Sequence, residues 1–451
     1  MPEENPHPPP GPGLRDVPWL LRTRARDPLA LLAGIRRRYG DVAHMSVGGR
    51  HAVLVSDPAL ATRLLAGHAG DLVKWRLDGN RRVLFGDGLL TSDGELWRRQ
   101  RRIIQPAFER DRMGAYGEAV VRHAAARAAA WEDGAVVDVG AEMTAITTTV
   151  VGEVMFGMDL SPHTRPIREA VGAVMEFFQL LQPPFGPIRS RLPGRTRRRF
   201  LRARDALDGL VARAAAARRA GGATGDDMLG RLLAARDEDG RPLPDDLVRD
   251  EMLTMLGAGL ETTASALAFA WWEVARHPDA AARLAAEADA WDGGPDPAAL
   301  PFARAVFEET LRLHPPAWIV SRVAAAPLPV GGWTAPPGTV VIVSPYLMHR
   351  DPRRFPDPGR FDPDRPLPAD GASGFLPFGA GPRKCVGTHL ARAEGPLVLA
   401  TIARTTALRP AGRAPRERPM MTLRPDRGPM MRVERRSSPA PAPAPHYPVE
   451  P

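Results

Sequence analysis

Hydrophobic and polar positions alternate with a period of two from Asp41 to Asp57, around Gly48-Gly49, which predicts a β-hairpin. From Pro58 to about Arg236 the pattern becomes helical, in Ala-, Leu- and Arg-rich segments separated by Pro and Gly clusters. Leu243-Pro244-Asp245-Asp246 marks a helix start, with two carboxylates in the first turn. That helix is predicted to run to Arg276, where His277-Pro278 stops it. Two more are predicted over Ala280–Trp291 and Leu300–Leu313, the second closed by Pro315-Pro316. From Ala317 to Pro345 the pattern returns to short strands, clearest at Thr339–Val343. A Pro-rich stretch, Asp351–Pro368, then leads to a Gly-rich segment and a helix carrying Pro396–Ala400. The predicted class is mainly α with small β-sheets, an α+β fold.

The longest apolar stretch, Met252–Ala275, is interrupted by Glu261 and Glu273 and reads as a core helix, so no transmembrane anchor is expected. With 451 residues, 44% hydrophobic and 25% charged, the composition is that of a soluble globular protein. The net charge of +9 comes almost wholly from arginine, since Lys74 and Lys384 are the only lysines. No nucleic-acid-binding motif accompanies it, so nucleic acid is not an expected partner. The first residues are Pro-rich without the positive-then-apolar order of a signal peptide, and Ser437–Pro451 is Pro/Ala-rich. The expected organisation is a leader over residues 1–26, a single domain over 27–432 and a disordered tail over 433–451.

The chemistry concentrates at Cys385, the sole cysteine. One thiol excludes an intrachain disulfide and any iron–sulfur or zinc site built on several cysteines, and it fits a reducing cytoplasm. Inert core, nucleophile and single axial metal ligand remain open. The thiol lies in Phe378-Gly379-Ala380-Gly381-Pro382-Arg383-Lys384-Cys385-Val386-Gly387. Its glycines let the backbone approach a bulky group and turn amides toward sulfur, and the helix opening after Cys385 favours thiolate over thiol. Phe-x-x-Gly-x-Arg-x-Cys-x-Gly resembles the haem-binding loop of the cytochrome P450 family, and the resemblance runs from about Asp27 to Arg432. It implies the family's single mixed domain and a soluble, bacterial-type monooxygenase. Haem b would be held by Cys385, with Gly387 in the same loop, and O2 would be the co-substrate.

Other motifs extend the resemblance. Glu309 and Arg312 share a helix face, and alone would be an ordinary salt bridge. With Leu313-His314-Pro315-Pro316 they resemble the family's Glu-x-x-Arg helix, and Phe361–Arg365 resembles the segment whose arginine joins that pair. A buried network of Glu309, Arg312 and Arg365 is therefore expected. Ala258-Gly259-Leu260-Glu261-Thr262-Thr263 has a plain reading as a helix kink, but a carboxylate in so apolar a run is costly. The segment resembles the family's Gly-x-Asp/Glu-Thr motif, which implies that Thr262 assists oxygen activation and Glu261 relays protons. Trp97 and Arg101 lie four residues apart on one helix face. By resemblance they serve one haem propionate, Arg322 and Arg383 serve the other or both, and Phe378 packs on the macrocycle beside the sulfur. Phe177, Phe178, Ala258, Ala317, Trp318, Ile319 and Val320 are the expected walls of a cavity for a lipophilic substrate, a terpenoid, fatty acid or polyketide.

No reductase domain is expected after the cysteine loop. Electrons from NAD(P)H are expected through a ferredoxin or flavodoxin with its reductase, docked on Arg98, Arg99, Arg102, Lys384 and Arg392. A second basic run, Arg189–Arg204, reads as solvated surface near the cavity entrance. The alternatives are a peroxide-driven or non-oxidative haem-thiolate enzyme, a haem-based sensor, and a cysteine hydrolase with a base such as His389. The Glu261-Thr262 pair favours O2 activation. With Cys385 as ligand, the reduced carbonyl complex shows a strongly red-shifted Soret band that disappears in Cys385→Ser and Cys385→His. A band unchanged in those variants would overturn the ligand assignment.

Overall fold

The computed structural model describes residues 7–47, 49–74, 82–180, 194–221, 225, 227–237 and 239–436. Among these, the helices of ten residues or more are α1 (Val17–Arg26), α2 (Pro28–Tyr39), α3 (Gly94–Ile104), α4 (Met113–Ala129), α5 (Val139–Val151), α6 (Thr164–Leu180), α7 (Arg195–Ala220), α8 (Asp245–Arg276), α9 (Pro278–Ala290), α10 (Pro301–Leu313) and α11 (Thr388–Thr405). The leader region thus contains the helix α1.

The predicted hairpin forms as β1 (Val42–Val47) and β2 (Arg50–Val55), antiparallel with Val42 opposite Val55. β2 pairs in parallel with β8 (Val340–Val343), Val53 opposite Val341. β5 (Val320–Ala324) and β3 (Leu72–Lys74) complete a five-stranded sheet in the order β1-β2-β8-β5-β3. β4 (Val136–Asp138), β12 (Met430–Arg435) and β9 (Thr406–Pro410) form a second sheet. β6 (Leu328–Val330) pairs with β7 (Trp333–Ala335), and β10 (Glu417–Pro419) with β11 (Leu423–Pro425). The tail from Ser437 and residues 189–193 of the second basic run lie outside the described residues.

α8 crosses the helical mass, packed on α5 and α10, while α11 packs on α4, α9 and α10. α8 is the one described helix long and apolar enough to span a bilayer, and most of its apolar window is buried by protein. Glycine permits a close helix contact. A Cβ at Gly395 of α11 would fall 2.5 Å from the Phe307 ring of α10.

The pair on α10 is deeply buried, with the Arg312 side chain 0% and Glu309 1% exposed. Arg312 Nε and Nη2 donate to the two Glu309 oxygens, each at 2.7 Å. The remaining guanidinium donors reach the carbonyls of His349, Pro358 and Arg360 at 2.8, 2.8 and 3.0 Å. Arg365 Nε and the Asp362 amide also donate to Glu309 Oε1, at 3.3 and 3.0 Å. A buried charge is tolerable only when its donors are satisfied this fully. Glu309→Ala leaves the guanidinium uncompensated and is expected to cost about 3–5 kcal/mol, read by thermal unfolding and haem content. Stable, fully haem-loaded Glu309→Ala would remove the network from its structural role.

Candidate active site

The cysteine loop bends at Gly379 (φ +73°) and Gly381 (φ +72°), where a Cβ at Gly381 would meet the Leu65 carbonyl at 2.1 Å. Side-chain residues are strained at such φ, so glycine permits the close approach. The Cys385 amide donates to the Phe378 carbonyl at 2.9 Å, closing the loop. Protein surrounds the sulfur on most sides, and the space on its open side is accessible. Burial pushes the thiol pKa above its usual value, against the Gly387 amide, Arg101, the Thr388 hydroxyl and Lys384, which pull the other way. Desolvation thus opposes the helix N-terminus, whose field favours the thiolate.

The cationic residues gather at one edge of this space. Arg101 Nη1 donates to the Lys384 carbonyl at 2.8 Å. Arg383 lies over the Trp97 ring, 4.3 Å from its centroid, donates to the Ser92 carbonyl at 3.0 Å and pairs with Asp93. Asp93 also accepts from the Lys74 amide at 3.0 Å, and Lys74 stands opposite Arg322 across the β3–β5 pair. Arg322 is thereby placed at the same edge.

Within the mostly buried α8, Gly257, Ala258, Gly259, Glu261 and Thr262 are accessible. The Thr262 hydroxyl donates to the Ala258 carbonyl at 2.6 Å. Glu261 pairs with Arg424 of β11 at 3.0 Å, and both line a cavity of about 150 Å³ with Asp138, Arg168 and Ser265. Of the expected apolar walls, Ala258 is exposed and Ala317, Ile319 and Val320 are half-buried. Phe177, Phe178 and Trp318 are instead buried. Phe177 stacks on Phe200 at 4.1 Å, and the Trp318 indole donates to the Met420 carbonyl at 3.1 Å.

These residues fit a macrocycle better than a bare metal ion. Among the described residues no group of three His, Cys, Asp or Glu side chains is placed to hold a metal. A metal at the accessible Cys385 sulfur would take its remaining ligands from a porphyrin, whose carboxylates suit Arg101, Arg322 and Arg383. The profile of the cytochrome P450 family matches residues 6–430. The chain belongs to the cytochrome P450 family. It is a cytochrome P450 monooxygenase, and haem and O2 are the family's cofactor and co-substrate.

Cyclooctatin synthase of Streptomyces melanosporofaciens is 38% identical, over 88% of this P450 and 90% of that protein. Cyclooctat-9-en-7-ol 5-monooxygenase of the same organism is 37% identical, over 87% and 88%. Pentalenene oxygenase of Streptomyces avermitilis is 32% identical, over 84% and 86%. A mutant haem domain of cytochrome P450DA superimposes with a TM-score of 0.82 at 25% identity, covering 96% of this chain and 98% of that one. CYP175A1 from Thermus thermophilus gives 0.75 at 30% identity, covering 94% and 100%.

The P450 structure also revises the basic surface. Arg392 pairs with Glu308 and Asp370 and lies over the Phe378 ring, 5.0 Å from its centroid, while Lys384 pairs with Asp370 at 2.8 Å. Burial works to raise the Asp370 pKa, but the two cations prevail and hold it low. Part of the expected positive patch is thus internally neutralised. Arg98 pairs with Glu95.

Sequence reasoning missed Asp93, Arg424 and His349. No local pattern marks them, because their partners lie far along the chain. Buried His349 Nε2 accepts from the Leu376 amide at 2.9 Å, just ahead of the cysteine loop, so the ring must be neutral there. Burial and then the Arg350 and Arg312 charges lower its pKa to about 3. The unfolded imidazole binds a proton near 6.5 while the folded one does not, so stability falls as pH drops below 6.5. Thermal unfolding between roughly pH 7 and 5 should show this decline, at most about 1.4 kcal/mol per pH unit, and a flatter profile in His349→Gln. Identical slopes in the two proteins would exclude His349 as the source.

Proposed function

We propose that this P450 oxygenates a terpenoid, placing one oxygen atom of O2 in an apolar C–H or C=C bond and releasing the other as water. The observation that carries this reading is the near full-length similarity to enzymes named for cyclooctat-9-en-7-ol and pentalenene. The accessible apolar residues Ala258, Ala317, Ile319 and Val320 support it, since they leave apolar surface for such a substrate.

Haem held by Cys385 supplies an iron whose thiolate ligand favours O–O cleavage. Trp97, Arg101, Arg383 and Arg322 orient and neutralise the propionates. Phe378, under Arg392, excludes water from the sulfur. Glu261 and Thr262 supply protons and a hydroxyl donor on the α8 side. Thr262, now bonded to its own helix, turns its hydroxyl outward to do so. Glu261 lines a solvent-connected cavity from which it can be reprotonated.

Electrons come from NAD(P)H through an acidic ferredoxin or flavodoxin and its reductase, in the cytoplasm. The field at exposed His389 supports the docking side. Burial first, and then Arg110, Lys384 and Arg392, lower its pKa, so positive potential persists beside the cysteine loop despite the internal pairs. Purified protein titrated with cyclic terpenes and terpenols, fatty acids and polyketides should show the haem spectral change of water displacement with the terpenoids at the lowest concentrations. Tight binding of fatty acids with no response to terpenoids would overturn the assignment.

A further inference from the structure

Two buried acids of α8, Asp250 and Glu251, are 8% and 1% exposed and have no part in the chemistry above. Each accepts a backbone amide from the segment that precedes α3. The Asp87 N–H donates to Asp250 Oδ2 at 2.8 Å, and the Leu89 N–H to Glu251 Oε2 at 3.0 Å. Two glycines allow that contact. A Cβ at Gly86 (φ +48°) would fall 1.8 Å from Asp250 Oδ2, and one at Gly88 2.3 Å from Thr254 Oγ1.

The strapped segment joins the two halves of the site. At one end Leu84 and Phe85 line a small apolar cavity with Val174, Met175, Leu253 and Leu256. Phe85 stacks on Phe178 at 6.3 Å, and a Cβ at Gly257 would fall 2.9 Å from its ring. At the other end, Gln100 Nε2 donates to the Asp87 carbonyl at 2.6 Å and Ser92 Oγ to Gln100 Oε1 at 2.5 Å. The Ser92 carbonyl and the Asp93 carboxylate then hold Arg383 against Trp97.

We propose that Glu251, assisted by Asp250, is a positioning residue: its hold on the Leu89 amide sets both Phe85 at the small apolar cavity beside α8 and the Asp93–Arg383 clamp at the haem edge. The proposal rests on the haem-thiolate reading of the site. Without Glu251 the Leu89 N–H is a buried orphan, and the segment must shift to find water. The bond needs an oxygen acceptor and no charge. Glu251 Oε1 has no partner among the described residues, and burial raises the pKa to about 8, so the acid is neutral near pH 7. Glutamine can therefore replace it, and leucine cannot.

The test compares wild type, Glu251→Gln, Glu251→Leu and Gly88→Ala, each checked for cooperative thermal unfolding. Readouts are the rate of haem loss to excess apomyoglobin and the affinity for phenylimidazole. Glu251→Leu should accelerate haem loss and weaken phenylimidazole binding, each by about tenfold or more, while Glu251→Gln stays within about twofold of wild type on both. Gly88→Ala pushes the same segment off α8 and should reproduce both changes if Glu251→Leu does not fold. Wild-type behaviour in Glu251→Leu or in Gly88→Ala overturns the positioning role, as does a Glu251→Gln defect as large as that of leucine, which would mean that charge matters. A wild type lacking the thiolate-type carbonyl band would instead defeat the haem reading itself.

Discussion

The buried Arg312 guanidinium is the interaction on which the cysteine side of this molecule depends. Residues 349–365 form no strand or long helix, so they cannot satisfy their backbone polar groups by a regular ladder. Arg312 replaces the ladder with a central donor, taking the carbonyls of His349, Pro358 and Arg360 while Glu309 balances its charge. Desolvating these charges is expensive, and the full set of hydrogen bonds is what offsets it. From there the order passes through His349 to the Leu376 amide and so into the loop that presents Cys385.

Arginine serves different ends in different environments. On α10 it organises an irregular segment. At the edge of the site Arg101 and Arg383 are partly desolvated, which lowers their own pKa values yet leaves them fixed cations for carboxylates. At the surface many arginines are spent on neighbouring acids, as Arg392 is on Glu308 and Asp370. Net charge therefore overstates the positive potential available to a partner. Cys385 shows the same competition, since burial raises its pKa against four neighbours that pull it down. Deprotonation is then coupled to metal ligation, as is usual for buried thiol ligands.

Much of the architecture was legible because it is written in short-range pattern. The hairpin at Val42–Val55, the start and stop of α8 and the ends of α10 follow from alternation, first-turn acids and proline. The cysteine loop and the Glu309–Arg312 spacing were legible for the same reason. The cavity walls were less so. Phe177, Phe178 and Trp318 read as substrate contacts by residue type and position, but an aromatic side chain packs equally well against other core rings, and here Phe200 and Phe85 take two of them.

The sequence alone determined the reaction class through its family resemblance, since one thiol, its glycines and the acid–threonine step on α8 are local motifs that carry that resemblance. Tertiary structure alone decided the partners. Glu261 meets Arg424 across 163 residues of chain, and Arg383 meets Asp93 across 290. It also decided the charge states, because the balance between desolvation at Cys385, Glu251 and His349 and the groups packed around them depends on burial. Burial is a property of the assembled fold, and no spacing along the chain encodes it.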